Sequence, residues 1–529
     1  MANRDVELAV IGGGAAAVCL LDALAEAETP AGRINVFEPT PHLWRGRPYQ
    51  HDDEVVRLNS PVGDMSVRHS DPLHFERWLA ARDRADGVTG GQVDPYSGVR
   101  FVPRTVYGTY LEHSARRSMR DLAAQGGQVN VVRERVVGTG PALHGGAVLV
   151  TDRGRRLSAD YVVLCVGRGA PQDTYQLNGA AGFVPDPYPV SKALVGIGPQ
   201  DAVGVIGSGL TAVDAVLALA AVGHRGPISL LSRQGVLPAV RQRPVSHRLR
   251  HFTAERFRGG GARRSVGLAT AARVLGRELA QVGEDLRVLT AEIAALGRED
   301  PTARLRRQLD EVDSGSLALR IAQSAVPEAG PGLWSLLADE QKAELLRSHY
   351  RTIHALCCPM APASAATLLG LMDSGQLRIV EGLRRISPSP GGGFAADTDT
   401  RRLYVDHVVN AVNAPVDRLP PAARPLIDEL VTAGVAARNP FGGLSVERES
   451  SRLVVKGEPN PHFHVLGDLA FGTFFFTFGI PAMVNRAQEI AASLRDHMPG
   501  RTPVLSSPGG RVPSGHIASV RPPSTEVSS

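Results

Sequence analysis

Lysine is scarce in this 529-residue chain. Only Lys192, Lys342 and Lys456 occur among its 58 basic residues, and the other 55 are arginines. The arginines are scattered along the chain, and 53 acidic residues nearly balance them, leaving a formal net charge of +5. A nucleic-acid-binding protein concentrates its basic residues in a patch or stripe. The pattern therefore argues against nucleic acid and indicates a solvated surface with a mild preference for small anions.

Cysteine is equally rare. The four cysteines are Cys19, Cys165, Cys357 and Cys358, and no Cys-x-x-Cys pair occurs. This count gives no disulfide framework, and the missing pair counts against a disulfide reductase. Cys19 and Cys165 sit in apolar runs, which favours packed thiols. For the adjacent Cys357 and Cys358 we expect buried helix positions, with a redox-active pair as the alternative.

Long apolar runs are absent. No run reaches the roughly 18 residues that span a bilayer, and the chain opens directly into a strand pattern without a signal peptide. We therefore expect a cytoplasmic protein without a membrane partner; homo-oligomer formation is left open. His247 and His251 have metal-ligand spacing but no Glu between them and no evident third ligand, so we expect surface histidines and no metal site.

Glycine, in contrast, is abundant, and it marks two similar segments 195 residues apart. Each has a β-branched run, then glycines, then an apolar helix pattern, over Val6–Ala17 and Val203–Ala212. Each helix leads to another strand pattern, Ile34–Phe37 and Ile228–Leu231. These are βαβ beginnings with parallel strands. The sequence predicts an α/β protein with two Rossmann-like dinucleotide-binding domains.

The first glycine motif is Gly12-x-Gly14-x-x-Ala17. Its first Gly permits the tight turn, its second lets a pyrophosphate approach the backbone, and Ala17 allows close packing of helix on strand. Glu38 ends the next strand, 21 residues after Ala17, where a carboxylate can accept both ribose hydroxyls. This combination of residues predicts a site that binds the adenosine ribose of FAD. The alternative is a glycine-rich turn in an unrelated α/β sheet.

The second motif, Gly207-x-Gly209-x-x-Ala212, repeats the device and includes Thr211. The position equivalent to Glu38, 195 residues on, is Arg233. An arginine there pairs with a 2′-phosphate that a carboxylate would repel, and Ser232 can add a hydrogen bond. We therefore predict NADPH rather than NADH at this site. The alternative is that Arg233 merely faces solvent.

A third element lies near the carboxyl end. Gly467 and Asp468 follow a strand pattern, and Gly479-Ile480-Pro481 opens the last helix pattern. A carboxylate after a strand can bind the ribityl hydroxyls of a flavin. The helix start would place its positive end near the flavin N1–C2=O edge. An ordinary strand–loop–helix is the alternative. As the third element in the expected order, it strengthens the FAD prediction.

The motifs divide the chain. We predict the first part of an FAD domain over 1–197, an NADPH domain over 198–400 with a helical insertion at about 250–360, a return to the FAD domain over 401–498, and a disordered tail over 499–529. A helix is expected to be capped by Asp71 with Pro72 first. Strands over Val129–Val137 and Ala147–Val150 are expected to form a β-meander. Residues 258–265 are expected to form a loop.

The chain resembles the flavoproteins with two dinucleotide-binding domains. More narrowly, it is similar to the bacterial FAD–NAD(P)-binding group that includes the FAD-dependent urate hydroxylase and the aspartate N-monooxygenase. The resemblance covers most of residues 5–495. Besides the glycine motifs it depends on Gly46–Tyr49, Leu58–Ser66, Asp71–Leu79, Val163–Gly167, Ser232-Arg233 and Gly467-Asp468. It implies that a loop from Asn59 to Met65 lies against the flavin, although Asn59 can also be read as a turn cap.

One departure from the family pattern concerns the strand that returns to the FAD domain. Such proteins commonly end it with a Thr-Gly pair, whereas Asn413 and Ala414 stand here. Because Asn can adopt the left-handed conformation that Gly supplies, we expect the turn to be kept.

The resemblance and the motifs together imply a monooxygenase. NADPH would reduce FAD, reduced flavin would form a C4a-hydroperoxide with O₂, and a small polar metabolite such as an amino acid would be oxygenated, with N-hydroxylation as one form of this reaction. Arg47, Arg241 and Arg243 are candidates for binding a substrate carboxylate, with solvated loop arginines as the alternative. Two other functions stay open: an NADPH-dependent flavin reductase or dehydrogenase, and a non-catalytic flavin-binding redox module.

Overall fold

The computed structural model describes residues 6–29, 32–86, 93–141, 146–257, 266–412, 419–477 and 479–498. The predicted loop at 258–265, Asn413 and the predicted tail at 499–529 lie outside these residues. Within them, no helix is both long and apolar enough to cross a bilayer.

The strands and helices alternate along the chain. Strands β1 to β17 are, in chain order, Glu7–Ile11, Arg33–Phe37, Gln128–Val132, Val136–Pro141, Ala147–Thr151, Arg156–Ala159, Tyr161–Leu164, Phe183–Val184, Val203–Ile206, Ile228–Leu231, Leu377–Val380, Leu383–Pro388, Phe394–Thr398, Arg402–Val405, His407–Asn410, Arg452–Val455 and Glu458–Val465. Helices α1 to α15 are Ala15–Glu26, His74–Asp86, Arg104–Ala124, Val190–Ala193, Leu210–Ala221, Leu268–Ala280, Leu286–Ala295, Pro301–Asp310, Ala318–Leu336, Asp339–Glu344, Tyr350–Cys357, Pro362–Asp373, Arg424–Thr432, Phe471–Phe474 and Ile480–His497.

The first sheet has the strand order β16-β17-β7-β1-β2-β3. Its central strands are parallel, and β1 and β7 are buried on both faces apart from the partly exposed first residue of β1. One face is covered by α1, α3 and α15, whose apolar residues share a core. The other face is covered by the small antiparallel sheet β4-β5-β6 and by α13. Both faces of this parallel sheet are therefore shielded from water, as such sheets require.

The second sheet has the order β11-β10-β9-β15-β8, and all its strand pairs are parallel. Helices α5 and α12 pack on one face. The antiparallel sheet β12-β13-β14 packs on the other. The predicted α/β fold with two Rossmann-like sheets is confirmed.

Strand pairing shows that the second sheet extends beyond both predicted boundaries of the NADPH domain, residues 198 and 400. Strand β8 precedes residue 198 and β15 follows residue 400, yet both belong to the second sheet, because β15 pairs with β9 and β8 pairs with β15. The chain thus contributes to the NADPH-type sheet before and after the range 198–400. The hydrophobic pattern alone does not distinguish which of two parallel sheets a short strand joins.

Two local predictions were wrong in detail. The expected meander strand Val129–Val137 is two strands: β3 pairs in parallel with β2 in the first sheet, and β4 begins the meander. The polar run Arg133–Arg135 separates them. Helix α2 begins at His74 rather than Pro72, and the Asp71 carbonyl accepts a hydrogen bond from the His74 N–H.

The two domains are joined by a buried ionic cluster. Arg104, at the start of α3, pairs with Asp214 of α5 at 2.7 Å and donates to the Tyr188 hydroxyl at 2.9 Å. Tyr188 in turn donates to Asp214. Arg47 pairs with Asp186 nearby, at 2.6 Å. Because a charge buried without its partner is costly, these contacts hold α3 of the first domain against α5 of the second.

The helical insertion contains α6 to α11, within the predicted range. Its first helix carries Glu278, which is fully buried. The carboxylate accepts the backbone N–H groups of Arg250, His251 and Phe252 and pairs with His247 Nε2 at 2.7 Å. Burial raises the pKa of Glu278, but these donors outweigh burial and lower it from about 4.5 to about 2. His247 is therefore an anchor for the segment preceding the insertion.

Replacing Glu278→Gln should destabilise the protein by roughly 2 kcal/mol at pH 7, because an amide accepts these hydrogen bonds less well than a charged carboxylate. The folded-state pKa is depressed, so the carboxylate's contribution is fully present above about pH 4.5 and is lost as the pH falls towards about 2. Urea midpoints measured between pH 7 and pH 3 should therefore converge for the two proteins.

The exposed Glu458→Gln variant is the control and should unfold with the parent at each pH. A gap between Glu278→Gln and the parent that stays constant from pH 7 to pH 3 would contradict the assigned charge effect.

Candidate functional site

The turn between β1 and α1 has the geometry of a phosphate-binding loop. Gly12 has a φ of +107°, and a Cβ there would lie 2.5 Å from the Cys165 carbonyl oxygen, so only Gly fits. Gly14 is the N-cap of α1, and Ala17 is fully buried against the sheet. The first helical N–H groups therefore face a site at the carboxyl end of β1, where a pyrophosphate can bind.

Glu38 lies directly beside this turn. Its two carboxylate oxygens accept the backbone N–H groups of Gly13 and Thr40, each at 2.9 Å, and the side chain is 8% exposed. Each oxygen keeps a second lone pair, so the carboxylate can still accept ribose hydroxyls. The structure thus brings Gly12, Gly14 and Glu38 together as predicted from the sequence.

The segment from Asn59 to Met65 runs along the boundary between the two domains. Met65 is buried, and its carbonyl accepts the Tyr107 hydroxyl at 2.9 Å. The Asn59 carbonyl accepts Nε of Arg241, from the second domain, at 2.8 Å. The segment is therefore held from both sides. That Asn59 and Met65 contact a flavin stays a prediction.

The third predicted element lies at the end of β17. Gly467 has a φ of +105° and precedes a 3₁₀ turn over Asp468–Ala470, and Gly479 has a φ of +92° and is the N-cap of α15. A Cβ on either Gly would meet nothing within 4 Å, so both turns border open space. Ile480, the first residue of α15, is fully buried and anchors the helix start.

The sequence analysis missed a polar cluster around Asp468. Arg168 Nε lies 3.3 Å from its carboxylate, and the Thr477 hydroxyl donates to it at 3.0 Å. Arg168 also forms a hydrogen bond with the hydroxyl of Tyr350, from the helical insertion. The only sequence signal for Arg168 is its position after Gly167 at the end of a predicted strand. No sequence motif surrounds Tyr350, because only the tertiary structure brings this residue next to Arg168.

His354 belongs to the same region. Burial, together with the charges of Arg168 and Arg351, lowers the pKa of His354 to about 4. The imidazole is therefore neutral at neutral pH. Its ring centroid lies 5.9 Å from that of Tyr350, one helical turn away on α11.

The second glycine turn repeats the first. Gly207 has a φ of +108°, and a Cβ there would lie 3.2 Å from the Ala411 carbonyl oxygen. Gly209 is the N-cap of α5, and a Cβ on it would meet nothing within 4 Å, which leaves room for a pyrophosphate. Ala212 is fully buried, and Thr211 lies partly buried in the first turn of the helix.

Ser232 and Arg233 follow β10, next to this turn. The Ser232 hydroxyl accepts the Gly235 N–H at 2.9 Å and is buried, which shapes the turn. Arg233 is exposed, and no described carboxylate pairs with it. Its charge lowers the pKa of Arg351 on α11, after the larger effect of burial, so two arginines face the same region. Such a region suits an anionic group.

The three candidate substrate arginines have different surroundings. Arg47 donates from two nitrogens to Asp186, at 2.8 and 2.6 Å. Arg243 pairs with Asp313 at 3.0 Å near the surface. Arg241 reaches the Asn59 carbonyl, and no described carboxylate pairs with it. Arg241 is thus the one of the three without a carboxylate partner among the described residues, and burial lowers the pKa of its guanidinium.

Residues 9–169 match the FAD-NAD(P)-binding family model. The match includes the first glycine motif, Glu38, the Asn59–Met65 segment and Gly167. It confirms a dinucleotide-binding region of this type in the first part of the chain. No curated protein matches the chain.

Solved structures that share this fold include three hydroxylases or monooxygenases of amines. The reduced ornithine hydroxylase PvdA of Pseudomonas aeruginosa is 14% identical, with a TM-score of 0.55 over 93% of this chain and 100% of that one. DfoA of Erwinia amylovora, a cadaverine monooxygenase bound to FAD, is 13% identical, with a TM-score of 0.57 over 96% and 100%. The ornithine N-hydroxylase KtzI of Kutzneria sp. 744 is 14% identical, with a TM-score of 0.52 over 93% and 99%. These likenesses establish the fold.

Replacing Gly12→Ala should disrupt the first site. A Cβ would collide with the Cys165 carbonyl and would force an L-residue into positive φ, which costs roughly 3 kcal/mol. We expect a lower urea midpoint and a reduced ratio of FAD to protein, measured by absorbance after purification. Gly140→Ala is the control, because a Cβ there meets nothing within 4 Å. Full FAD content in Gly12→Ala would remove the assigned role of this turn.

Proposed function

We propose that this protein is a flavin-dependent monooxygenase that binds FAD in its first domain and NADPH in its second. The observation that carries the proposal is a pair of equivalent turns with opposite charges beside them. Gly12 and Gly207 have nearly identical φ angles, and Glu38 and Arg233 lie just after the strands that follow, β2 and β10. A carboxylate suits the free ribose hydroxyls of FAD, and an arginine suits the 2′-phosphate of NADPH.

The proposed reaction is oxygenation of a small polar metabolite, with N-hydroxylation of an amine such as that of an amino acid as its specific form. The fold-related structures named as ornithine hydroxylases and as a cadaverine monooxygenase support this choice. The narrower similarity to the aspartate N-monooxygenase group, based on the Leu58–Ser66 segment, also favours an amine substrate. The named substrates of these fold-related structures are amines, and none of them is a purine.

Activation of O₂ is chemistry that reduced flavin supplies when bound. The chain's own contribution is to hold the two cofactors and to keep water away. An aromatic cluster of Trp334, Tyr350, Phe471, Phe475 and Phe476 packs between the insertion and α14, next to Asp468. This cluster provides an apolar wall beside the proposed flavin site, which favours protection of a reactive intermediate from water.

Arg233→Ala should weaken NADPH binding by roughly tenfold or more while leaving NADH nearly unchanged, because only NADPH carries the 2′-phosphate. The measurement is the apparent dissociation constant for each nucleotide, from anaerobic reduction of the bound flavin at increasing nucleotide concentration.

Arg225→Ala is the matched control, since Arg225 is exposed in the same domain but lies before β10 rather than after it. It should leave both constants unchanged. Equal weakening of NADPH and NADH by Arg233→Ala would remove the assignment of the 2′-phosphate to this residue.

A further inference from the structure

A cavity of about 270 Å³ lies at the carboxyl edge of the second sheet. Residues 234–237, which follow β10, form one wall, and Ile379 of β11 also lines it. A second wall comes from the helical insertion, where residues 296–300 connect α7 to α8. Sites for whole drug-sized ligands enclose roughly 300–1,000 Å³. The cavity therefore has the size for one part of a dinucleotide rather than for all of it.

The first wall is bonded directly to the second glycine turn. The hydroxyl of Ser208, within that turn, donates to the Val236 carbonyl at 2.7 Å. The Ser232 hydroxyl accepts the Gly235 N–H at 2.9 Å. Arg233 lies between Ser232 and the first residue of the wall. A nucleotide with its pyrophosphate at the glycine turn and its 2′-phosphate at Arg233 therefore has its ribose beside this cavity.

The covalent structure of NADPH decides which part of the molecule is nearest to the cavity. In the adenosine half, the ribose carbon that carries the 2′-phosphate is bonded to the carbon that carries adenine. Once Arg233 holds the phosphate, the base must lie close by. Sites for flat aromatic groups are mostly apolar, with a few polar groups that fix orientation. The cavity has this character, with Val236, Leu296, Leu305 and Ile379 as apolar residues and Gln234 and Glu381 as polar ones.

The wall from the insertion is held by contacts of its own. The Asp300 carboxylate caps α8 and accepts the N–H groups of Thr302 and Ala303, at 3.0 and 2.9 Å. The Glu299 carboxylate accepts two hydrogen bonds from the Arg307 guanidinium, at 3.2 and 2.7 Å. The connection between α7 and α8 is thus fixed before any nucleotide binds, as a binding surface requires.

Arg304 joins the two walls. Its side chain is buried, Nε donates to Glu292 of α7 at 3.0 Å, and Nη1 donates to the Leu237 carbonyl at 3.2 Å. Gly297 faces the other wall directly, since a Cβ there would lie 3.9 Å from Val236 Cγ2. Because a buried guanidinium is costly to separate from its partners, these contacts keep the spacing of the two walls constant.

We propose that this cavity binds the adenine base of NADPH, and that the helical insertion is part of the nucleotide site through residues 296–300. The inference rests on the proposed function, because it takes the 2′-phosphate to be held by Arg233. Neither the glycine motif nor Arg233 contacts the base in this arrangement. Leu296 and Val236, one from each wall, are then the residues that determine how well the base fits.

The test uses adenosine 2′,5′-bisphosphate, which carries the base, the ribose and the 2′-phosphate but no nicotinamide. Its dissociation constant for the FAD-loaded protein is measured by titration calorimetry. Leu296→Trp and Val236→Trp each fill the cavity from a different wall. We expect each variant to weaken binding of this ligand, and of NADPH, by roughly tenfold or more.

Two controls separate loss of the cavity from a damaged fold. Val288→Trp places the same side chain at an exposed position of α7 that does not line the cavity, and it should leave both constants unchanged. Reduced nicotinamide mononucleotide lacks the whole adenosine half. At saturating concentration it should bleach the flavin of the parent and of all three variants at the same rate.

The proposal is overturned if adenosine 2′,5′-bisphosphate does not bind the parent, or if both cavity variants bind it as tightly as the parent does. It is also overturned if the mononucleotide loses as much as NADPH does in these variants. Any of these results with normal bleaching of the parent by NADPH leaves the proposed function intact. A parent that binds the bisphosphate but is not bleached by NADPH contradicts the proposed function and leaves the base site standing.

Discussion

Both candidate sites depend on one constraint, a glycine in positive φ at the carboxyl end of a buried parallel strand. At Gly12 the backbone passes so close to the Cys165 carbonyl that no side chain fits, and at Gly207 it approaches Ala411 in the same manner. These turns direct the chain from strand into helix with free N–H groups facing outward. The position of each helix start, and hence of any phosphate bound there, follows from this packing.

The two sites become one functional unit only if the domains keep a fixed orientation. The buried cluster of Arg104, Asp214 and Tyr188 joins the domains on one side. The Arg241–Asn59 hydrogen bond joins them on another, at the segment assigned to the flavin. The helical insertion adds a third contact, since Tyr350 reaches Arg168 and the aromatic cluster packs on α14. Hydride transfer between bound cofactors requires this kind of fixed alignment.

Much of the fold could be predicted from the sequence because the strongest signals are local. A strand pattern, glycines at fixed offsets and an apolar helix pattern lie within about a dozen residues of one another, and Glu38 and Arg233 follow at the same distance from their motifs. Sheet membership was harder to predict, because β8, β15 and β3 are short apolar runs whose partners are set by tertiary pairing. Arg168 and Tyr350 were missed for the same reason. They come together from segments far apart in the chain, and neither sits in a motif of its own.

In the proposed reaction, electrons pass from NADPH in the second domain to FAD in the first and are then used to activate O₂ for an amine substrate. The most direct measurement is anaerobic mixing of the FAD-loaded protein with NADPH, followed by mixing with oxygenated buffer while flavin absorbance is recorded. We expect bleaching by NADPH, then a transient spectrum distinct from both reduced and oxidised flavin that decays faster when the amine substrate is present. Flavin that NADPH does not bleach, or reduced flavin that returns directly to the oxidised form with stoichiometric peroxide release in the presence of every amine tested, would contradict it.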